Sequence, residues 1–249
     1  MRRFGLIGRP LVHSASAAYF TRKFAAEGLS DCAYELYELP SAAALAELLE
    51  QHPDLCGLNV TIPYKRDVIP FLDSVSAEAR AIGAVNCIRR TAEGRLEGYN
   101  TDIIGLRESL GELLGLDEPE HALILGTGGA SQAVQYALAE RGIPYDLVSR
   151  DAAKGNYTYD NLPAEVVEGS RLIVNASPVG TYPAVDAAPR IPYAFLTPRH
   201  YLLDLVYNPP LTRFLDYGQQ RGATILNGET MFVAQAEASW SIWNGTFEY

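Results

Sequence analysis

The sequence has little cysteine, methionine, tryptophan or histidine: three, two, two and four residues in a chain of 249. Cys32, Cys56 and Cys87 lie far apart, and none belongs to a CxxC pair. A sparse, odd set of this kind argues against a disulfide frame or a zinc site and implies buried thiols in a reducing compartment. Basic charge is also scarce. Twenty Lys and Arg stand against thirty Asp and Glu, for a net charge of -10. Binding nucleic acid needs a basic face, so that class of partner is not expected. An anionic small substrate is still allowed, because a pocket can be locally positive. No stretch approaches the roughly 18 apolar residues of a membrane span. The opening "MRRFGLIGRP" has two arginines but only a short apolar stretch, so no signal peptide is expected and the expected setting is cytoplasmic.

Apolar residues are plentiful. At 48% of the chain they can build a sizeable core, and the length suits one large domain or two ordinary ones. There is no internal repeat, low-complexity tract or long linker. The first hundred residues alternate strand and helix signals. "FGLIG", "AYELYEL" and "LCGLNVT" read as strands. "SASAAYFTRKFAAEG" reads as a helix, with Ser16 able to cap it, Gly28 able to end it, and Tyr19, Phe20 and Phe24 on one face. "SAAALAELLEQ" reads as a second helix with Ser41 as its cap. "AVNCIRR" and "RLEGYN" form a predicted hairpin turned at Gly94. This alternation predicts an α/β fold with a mostly parallel sheet. In "NVTIPYK", Val60 and Ile62 look strand-like, Pro63 forbids the ladder to continue, and Lys65 follows.

A second unit is predicted from about residue 103. A helix over "IIGLRESLGELLG" leads to "HALILGTGGASQAVQYALAERG", a strand, glycine turn and helix. "PYDLVSR", "RLIVNAS", "HYLLDLVY" and "ATILNG" read as further strands, with helices from Phe214 to Arg221 and from Glu229 to Trp243. Between "LVSR" and "RLIVNAS", the breakers Gly155, Asn156 and Pro163 leave little room for a full crossover helix, so that link should be partly irregular.

Gly126, Gly128 and Gly129 sit between a strand and a helix, where backbone N–H groups can approach a pyrophosphate closely. The strict G-x-G-x-x-G spacing is not met, since Ser131 stands in the third glycine position; the strand–turn–helix context supports dinucleotide binding. NAD sites usually end the next strand with Asp or Glu. Here it ends in Ser149 and Arg150, with Lys154 following, which favours NADP because a guanidinium pairs well with a 2′-phosphate; Asp151 beside Arg150 works against this. Taken alone, Lys65 reads as a surface lysine, Asp102 of "YNTD" as a helix cap, His13 as a turn residue, Tyr207 as a core tyrosine and Gln235 as a solvent-facing helix residue.

Together, "LVHSASAAYF", "NVTIPYK", "IGAVNCI", "YNTDIIGL", "GTGGAS", "NASPVG" and "NGETMFVAQA" occur in this order across nearly the whole chain, and the sequence resembles the shikimate dehydrogenase family. The resemblance implies NADPH reduction of 3-dehydroshikimate to shikimate on the way to aromatic amino acids. It implies an N-terminal α/β substrate domain over residues 1–102, completed by a C-terminal helix over 229–249. A Rossmann-type doubly wound cofactor domain would span 103–228, with substrate in the cleft between the two. Carried over position by position, Ser14 and Ser16 would hold the substrate carboxylate. Asn59, Thr61, Asn86, Tyr207 and Gln235 would hold hydroxyls and carboxylate. Lys65 and Asp102 would be the catalytic pair. Gly126, Thr127, Gly128, Gly129 and Ala130 would hold the pyrophosphate, and Ser149, Arg150 and Lys154 the adenosine phosphate. Leu205 and Gly228 would lie near the nicotinamide. No metal is implied, and a homodimer is compatible with this reading. The chain departs from the family at Ser149, where Asn is frequent, at Asp151, where a small hydroxyl is common, and at Leu205, where some relatives have Met; its C-terminal helices are expected to be shortened. The competing readings are a quinate/shikimate dehydrogenase using NAD, a non-catalytic binding module on the same fold, and a folate dehydrogenase-like or glutamyl-tRNA reductase-like protein. The last pair would not carry "HSAS" together with "NTD".

Overall fold

The structure is a computed structural model that describes residues 1–11 and 14–247. His13 therefore lies outside the described residues, as do the last two positions of the expected C-terminal segment. The chain divides into two compact units, Met1–Thr101 with Ala236–Tyr249, and Asp102–Gln235.

In the first unit, β1 (Arg2–Gly8) leads to α1 (Ser16–Ala26), β2 (Cys32–Glu38), α2 (Leu45–Gln51) and β3 (Leu55–Val60). Then come β4 (Ser74–Val75), α3 (Ala77–Ile82), β5 (Cys87–Arg90) and β6 (Leu96–Tyr99). The strands lie in the order β2-β1-β3-β5-β6-β4. β1 pairs parallel with β2 and β3, whereas β5 is antiparallel to both β3 and β6. Strand alternation splits the core between the two faces of the sheet. Ile7, Leu58, Val60, Val85 and Ile88 pack with Leu45 and Leu48 of α2 and Ala79 of α3. Phe4 and Leu6 pack with Phe20 and Phe24 of α1 and with Tyr34, Ile242 and Trp243.

Two caps differ from the sequence reading. Ser16 is the first helical residue of α1, and Ala15 before it is in helical conformation with no side-chain cap. The backbone N–H of Ser16 instead donates to Ser14 Oγ at 3.3 Å. A 3₁₀ turn, Ala42–Ala44, stands between Ser41 and α2, and Ser41 makes no capping bond. Gly28 follows the end of α1 at φ +68°, and Gly94 turns the β5–β6 hairpin at φ +84°. Ile62 lies beyond the strand and is exposed.

In the second unit, α4 (Asp102–Leu114) precedes β7 (Ala122–Leu125), α5 (Gly129–Glu140), β8 (Tyr145–Ser149), β9 (Tyr157–Thr158) and α6 (Ala164–Gly169). They are followed by β10 (Leu172–Asn175), β11 (Tyr201–Asp204), α7 (Arg213–Gln220), β12 (Thr224–Leu226) and α8 (Glu229–Asn244). All six strands are parallel, in the order β12-β11-β10-β7-β8-β9. This is the doubly wound dinucleotide-binding order, reversing between β7 and β10. Leu123, Leu125, Val148, Ile173, Leu202 and Phe214 form its core, and the central strands β7 and β10 read as continuous apolar runs because the sheet is buried on both faces there. The irregular link after β8 holds only the two-residue β9 and the six-residue α6.

The division between the units falls inside α8, after Gln235. The C-terminal part of that helix belongs to the first unit. There Trp243 stacks on Phe4 at 4.9 Å between ring centroids, and its indole N–H donates to the Ile88 carbonyl at 3.0 Å. A side chain at Gly57 would overlap this indole, so glycine is needed for the approach.

Candidate active site

Topology gathers the first set of candidate residues at one end of the first sheet. β1 and β3 run in the same direction, so Ser14 and Ser16 after β1, and Asn59, Thr61 and Lys65 at or after the end of β3, emerge together. β5 runs the other way. Asn59 faces Cys87 and Cys87 faces Tyr99, so Asn86 at the start of β5 and Asn100 after β6 reach the same end. The backbone of Thr61 donates to Ile7 O at 2.9 Å, and that of Val60 to Asn86 O at 2.8 Å. Past the strand, Tyr64 and Val68 are buried, and the Tyr64 hydroxyl donates to Leu39 O at 2.6 Å. The Lys65 carbonyl accepts from Val85 N at 2.7 Å. The segment carrying Lys65 is thus tied down on both sides, and its backbone position is fixed by the sheet.

The polar side chains at this end are mutually bonded. Tyr34 donates to Asn59 Oδ1 at 2.9 Å, and Asn59 Nδ2 donates to Ser239 Oγ at 2.8 Å. Asn86 Oδ1 accepts from Thr101 N at 2.6 Å and from Thr101 Oγ1 at 3.2 Å. Thr101 and Ser239 meet at 3.2 Å. Tyr34, Thr101 and Ser239 were not singled out from the sequence. Thr101 is legible as part of "NTD", while Tyr34 and Ser239 join the group only through long-range pairing.

In the second unit, the parallel strands place the remaining candidates at their carboxyl ends. Asp102, buried, is the first residue of α4 rather than its cap. Gly126 follows β7 at φ +114°, a conformation that side chains rarely adopt, and its N–H donates to Val148 O at 2.9 Å. Thr127 Oγ1 lies 3.2 Å from Ser149 Oγ. α5 begins at Gly129 with Gly128 at its cap and no side-chain capping bond. Its first-turn N–H groups have no partner within the helix, which suits a bound phosphate. Ser149 is buried at the tip of β8, and Arg150 and Lys154 are exposed. No carboxylate ends β8. Asp151 is instead folded onto its own loop: it accepts from Ala153 N at 3.0 Å and pairs with Lys154 at 3.5 Å, and both contacts hold its carboxyl below the usual range. The residues present therefore fit a dinucleotide carrying a 2′-phosphate.

Leu205 and Gly228 also meet, since a side chain at Gly228 would overlap the Leu205 carbonyl and Gly228 N donates to Val206 O at 3.2 Å. Tyr207 is half-buried and stacks on Phe232 at 4.8 Å. Gln235 is half-buried on α8. Sequence reasoning missed Asp204, fully buried at the end of β11. Asn175 Nδ2 and Val206 N donate to its Oδ1, at 2.9 and 3.0 Å, and Thr212 Oγ1 donates to its Oδ2 at 2.6 Å. Burial pushes its carboxyl up to about 6 despite these donors. Among the described residues, no helix is long and apolar enough to cross a membrane, and no group of three or more His, Cys, Asp or Glu could hold a metal ion.

The family profile described as "Shikimate dehydrogenase substrate binding domain" matches residues 6–88. A curated relative from Syntrophomonas wolfei, named "Shikimate dehydrogenase (NADP(+))", is 38% identical over 96% of this chain and 88% of its own length. The chain belongs to the shikimate dehydrogenase family. Among solved members of that family, the shikimate 5-dehydrogenase of Thermus thermophilus, in complex with NADP(H) and shikimate, superposes with a TM-score of 0.85 at 34% identity, covering 98% of this chain and 94% of that one. A quinate dehydrogenase from Corynebacterium glutamicum, in complex with NAD, also gives a TM-score of 0.85, at 28% identity over 98% of this chain and 94% of that one. The shikimate dehydrogenase fold accounts for both sheets seen here.

Proposed function

We propose that the chain is an NADP-dependent shikimate dehydrogenase that reduces 3-dehydroshikimate to shikimate, in the route to chorismate and the aromatic amino acids. The first unit would be the substrate domain and the second the cofactor domain. One observation carries this reading. The sheet end of the first unit gathers Ser14, Ser16, Asn59, Thr61, Lys65 and Asn86, while the second unit carries an uncapped glycine turn followed by a strand that ends in Ser149 and Arg150 without a carboxylate.

NADPH, when bound, supplies the hydride that adds to the ketone carbon. Lys65, as an ammonium, stabilises the oxyanion that develops and delivers a proton to it, so that C=O becomes CH–OH. In the reverse direction neutral Lys65 accepts that proton. Asp102 is the second member of the proposed catalytic pair. The hydroxyl and amide groups of Ser14, Ser16, Asn59, Thr61, Asn86, Tyr207 and Gln235 fix the substrate carboxylate and hydroxyls. A site built on such bonds rejects analogues that lack them. The uncapped N-terminus of α5 receives the pyrophosphate, and Arg150 and Lys154 the 2′-phosphate.

The pairing of Asp151 with Lys154 supports a second reading, a quinate/shikimate dehydrogenase that uses NAD, because it draws one of the two cations away from a 2′-phosphate. The deciding experiment measures oxidation of NADPH and NADH side by side with 3-dehydroshikimate, and reduction of both oxidised coenzymes with shikimate and quinate. Faster oxidation of NADPH than of NADH by 3-dehydroshikimate, and faster reduction of NADP by shikimate than by quinate, are expected. Turnover of quinate with NAD would establish the second reading, and no oxidation of either coenzyme would refute both.

A further inference from the structure

The chain of side-chain bonds in the first unit has a fixed direction. A backbone N–H can only donate, so the 2.6 Å bond from Thr101 N assigns the atom it meets as Asn86 Oδ1. The Asn86 amide nitrogen is thereby turned to the opposite side. Thr101 Oγ1 donates to the same oxygen at 3.2 Å, so it accepts from Ser239 Oγ. Ser239, donating to Thr101, accepts from Asn59 Nδ2 at 2.8 Å. Asn59 Nδ2 also lies 3.4 Å from the Asn86 carbonyl, which can only accept. A flipped Asn59 amide would set its oxygen against that carbonyl. The unflipped amide presents Oδ1 to Tyr34, whose hydroxyl is held protonated by burial and donates at 2.9 Å. One backbone N–H therefore fixes the hydrogen-bonding sense of every group from Asn86 to Tyr34. Thr101 and Ser239 are fully buried, and Tyr34 nearly so.

We propose that Tyr34 on β2 and Ser239 on α8 are positioning residues for the shikimate site: they hold both ends of the Asn59 carboxamide, and through Thr101 the Asn86 carboxamide, in the single orientation that binds the substrate hydroxyls. This rests on the proposed function and adds two residues to it. A carboxamide free to flip offers a donor or an acceptor at the same place with little preference. A fixed one recognises a hydroxyl in one hydrogen-bonding sense and spends no ordering entropy on binding.

The experiment compares wild type with Tyr34→Phe and Ser239→Ala, each also in an Asn59→Ala background. Tyr34→Phe keeps the ring, stacked on Phe20 at 4.5 Å, and removes only the hydroxyl. Loss of one orienting bond should raise KM for shikimate about 3- to 10-fold, with kcat and KM for NADP little changed. In the Asn59→Ala background the same substitutions should raise KM for shikimate much less than they do in the wild type, because the main group they position is gone and only the effects of Ser239 on Asn86 through Thr101 and of Tyr34 on Ser16 remain. A purely structural role would move the melting temperature and both KM values and would persist in that background; that pattern overturns the inference, as does an unchanged KM for shikimate in both single variants. Calorimetric titration of shikimate onto the wild type separates the two levels. A wild type that neither binds nor turns over shikimate sinks the proposed function and this inference together. An active wild type with indifferent variants sinks this inference alone.

Discussion

Asp204 offers a test that needs no substrate. Its carboxyl is fully buried at the end of β11, and burial raises it from the ordinary value of 3.8 to about 6. Between these two values the folded chain keeps a proton that the unfolded chain has released, so stability falls as pH rises through this window and the loss is complete above it. A rise of this size corresponds to about 3 kcal/mol. For a chain of this length that amounts to a Tm change of roughly 6–12 °C. Asp204→Asn removes the titration while keeping most of the geometry. Its oxygen can still accept from Asn175 and Val206, and its NH2 can face Thr212 Oγ1, which in exchange must find a new acceptor for its own hydrogen. That rearrangement costs about 1 kcal/mol at every pH. The assay is thermal unfolding of both proteins from pH 4 to pH 7. The difference between the two curves cancels the exposed carboxylates, such as Asp31 and Asp117, whose shifts are downward and act in more acid solution. Wild type should be the more stable at pH 4 and should lose that advantage by pH 7. A difference curve that stays flat, or slopes the other way, would refute the claim that Asp204 is a costly buried carboxylate.

Lys65→Ala should lower turnover by roughly two to four orders of magnitude while changing shikimate affinity much less, read by steady-state kinetics and direct titration; near-normal turnover would remove Lys65 from the chemistry. Arg150→Ala should weaken NADPH by about tenfold and leave NADH little affected, measured as dissociation constants by fluorescence, and equal losses would place Arg150 away from the 2′-phosphate. Ser16→Ala should raise KM for shikimate with only a small loss of Tm, because the Ser16 hydroxyl bonds Tyr34 but α1 has no side-chain cap to lose; a lower Tm with unchanged KM would contradict the carboxylate role. Gly57→Ala would drive a methyl group into the Trp243 indole and should destabilise the first unit by about 1–3 kcal/mol, visible as a shift in tryptophan emission at lower denaturant; wild-type stability would mean that the indole is not seated there.

Much of this architecture was legible because its signals are local. "LILGTGGAS" carries strand, turn and helix in nine consecutive letters, and the apolar runs of β7, β10 and β11 announce a sheet covered on both faces. Short elements gave no such signal. β4 and β9 have two residues each, too few to show a period, and α3 is a six-residue helix whose cap, Ser76, bonds Ala79 N at 3.2 Å in a segment that holds little apolar pattern. The caps at Ser16 and Ser41 failed for a conformational reason. Ala15 already has helical dihedrals, and a 3₁₀ turn takes up the residues after Ser41. Of the candidate site, the serines, amides, lysine and glycines were identifiable as motifs, but their bonding was not. Asn59 meets Ser239 across 180 positions, and Asp204 meets Asn175 across 29, and no local pattern records either pairing.

The first unit is discontinuous in the chain, and this bears on the order of events during synthesis. Residues 1–101 leave the ribosome first, yet the aromatic cluster on one face of their sheet is completed only by Trp240, Ile242 and Trp243. Until those residues emerge, Phe4, Phe20 and Gly57 lack the indole that covers them. The second unit is a single uninterrupted segment and needs no later residue to close its core. Nascent chains usually consolidate from the N-terminus onward. Here the later-made unit can close its core first, while the earlier one gains its last aromatic cover only when the end of α8 emerges. A translation product stopped just after Gln235 should therefore keep a protease-resistant fragment from its C-terminal half and lose its N-terminal half to digestion.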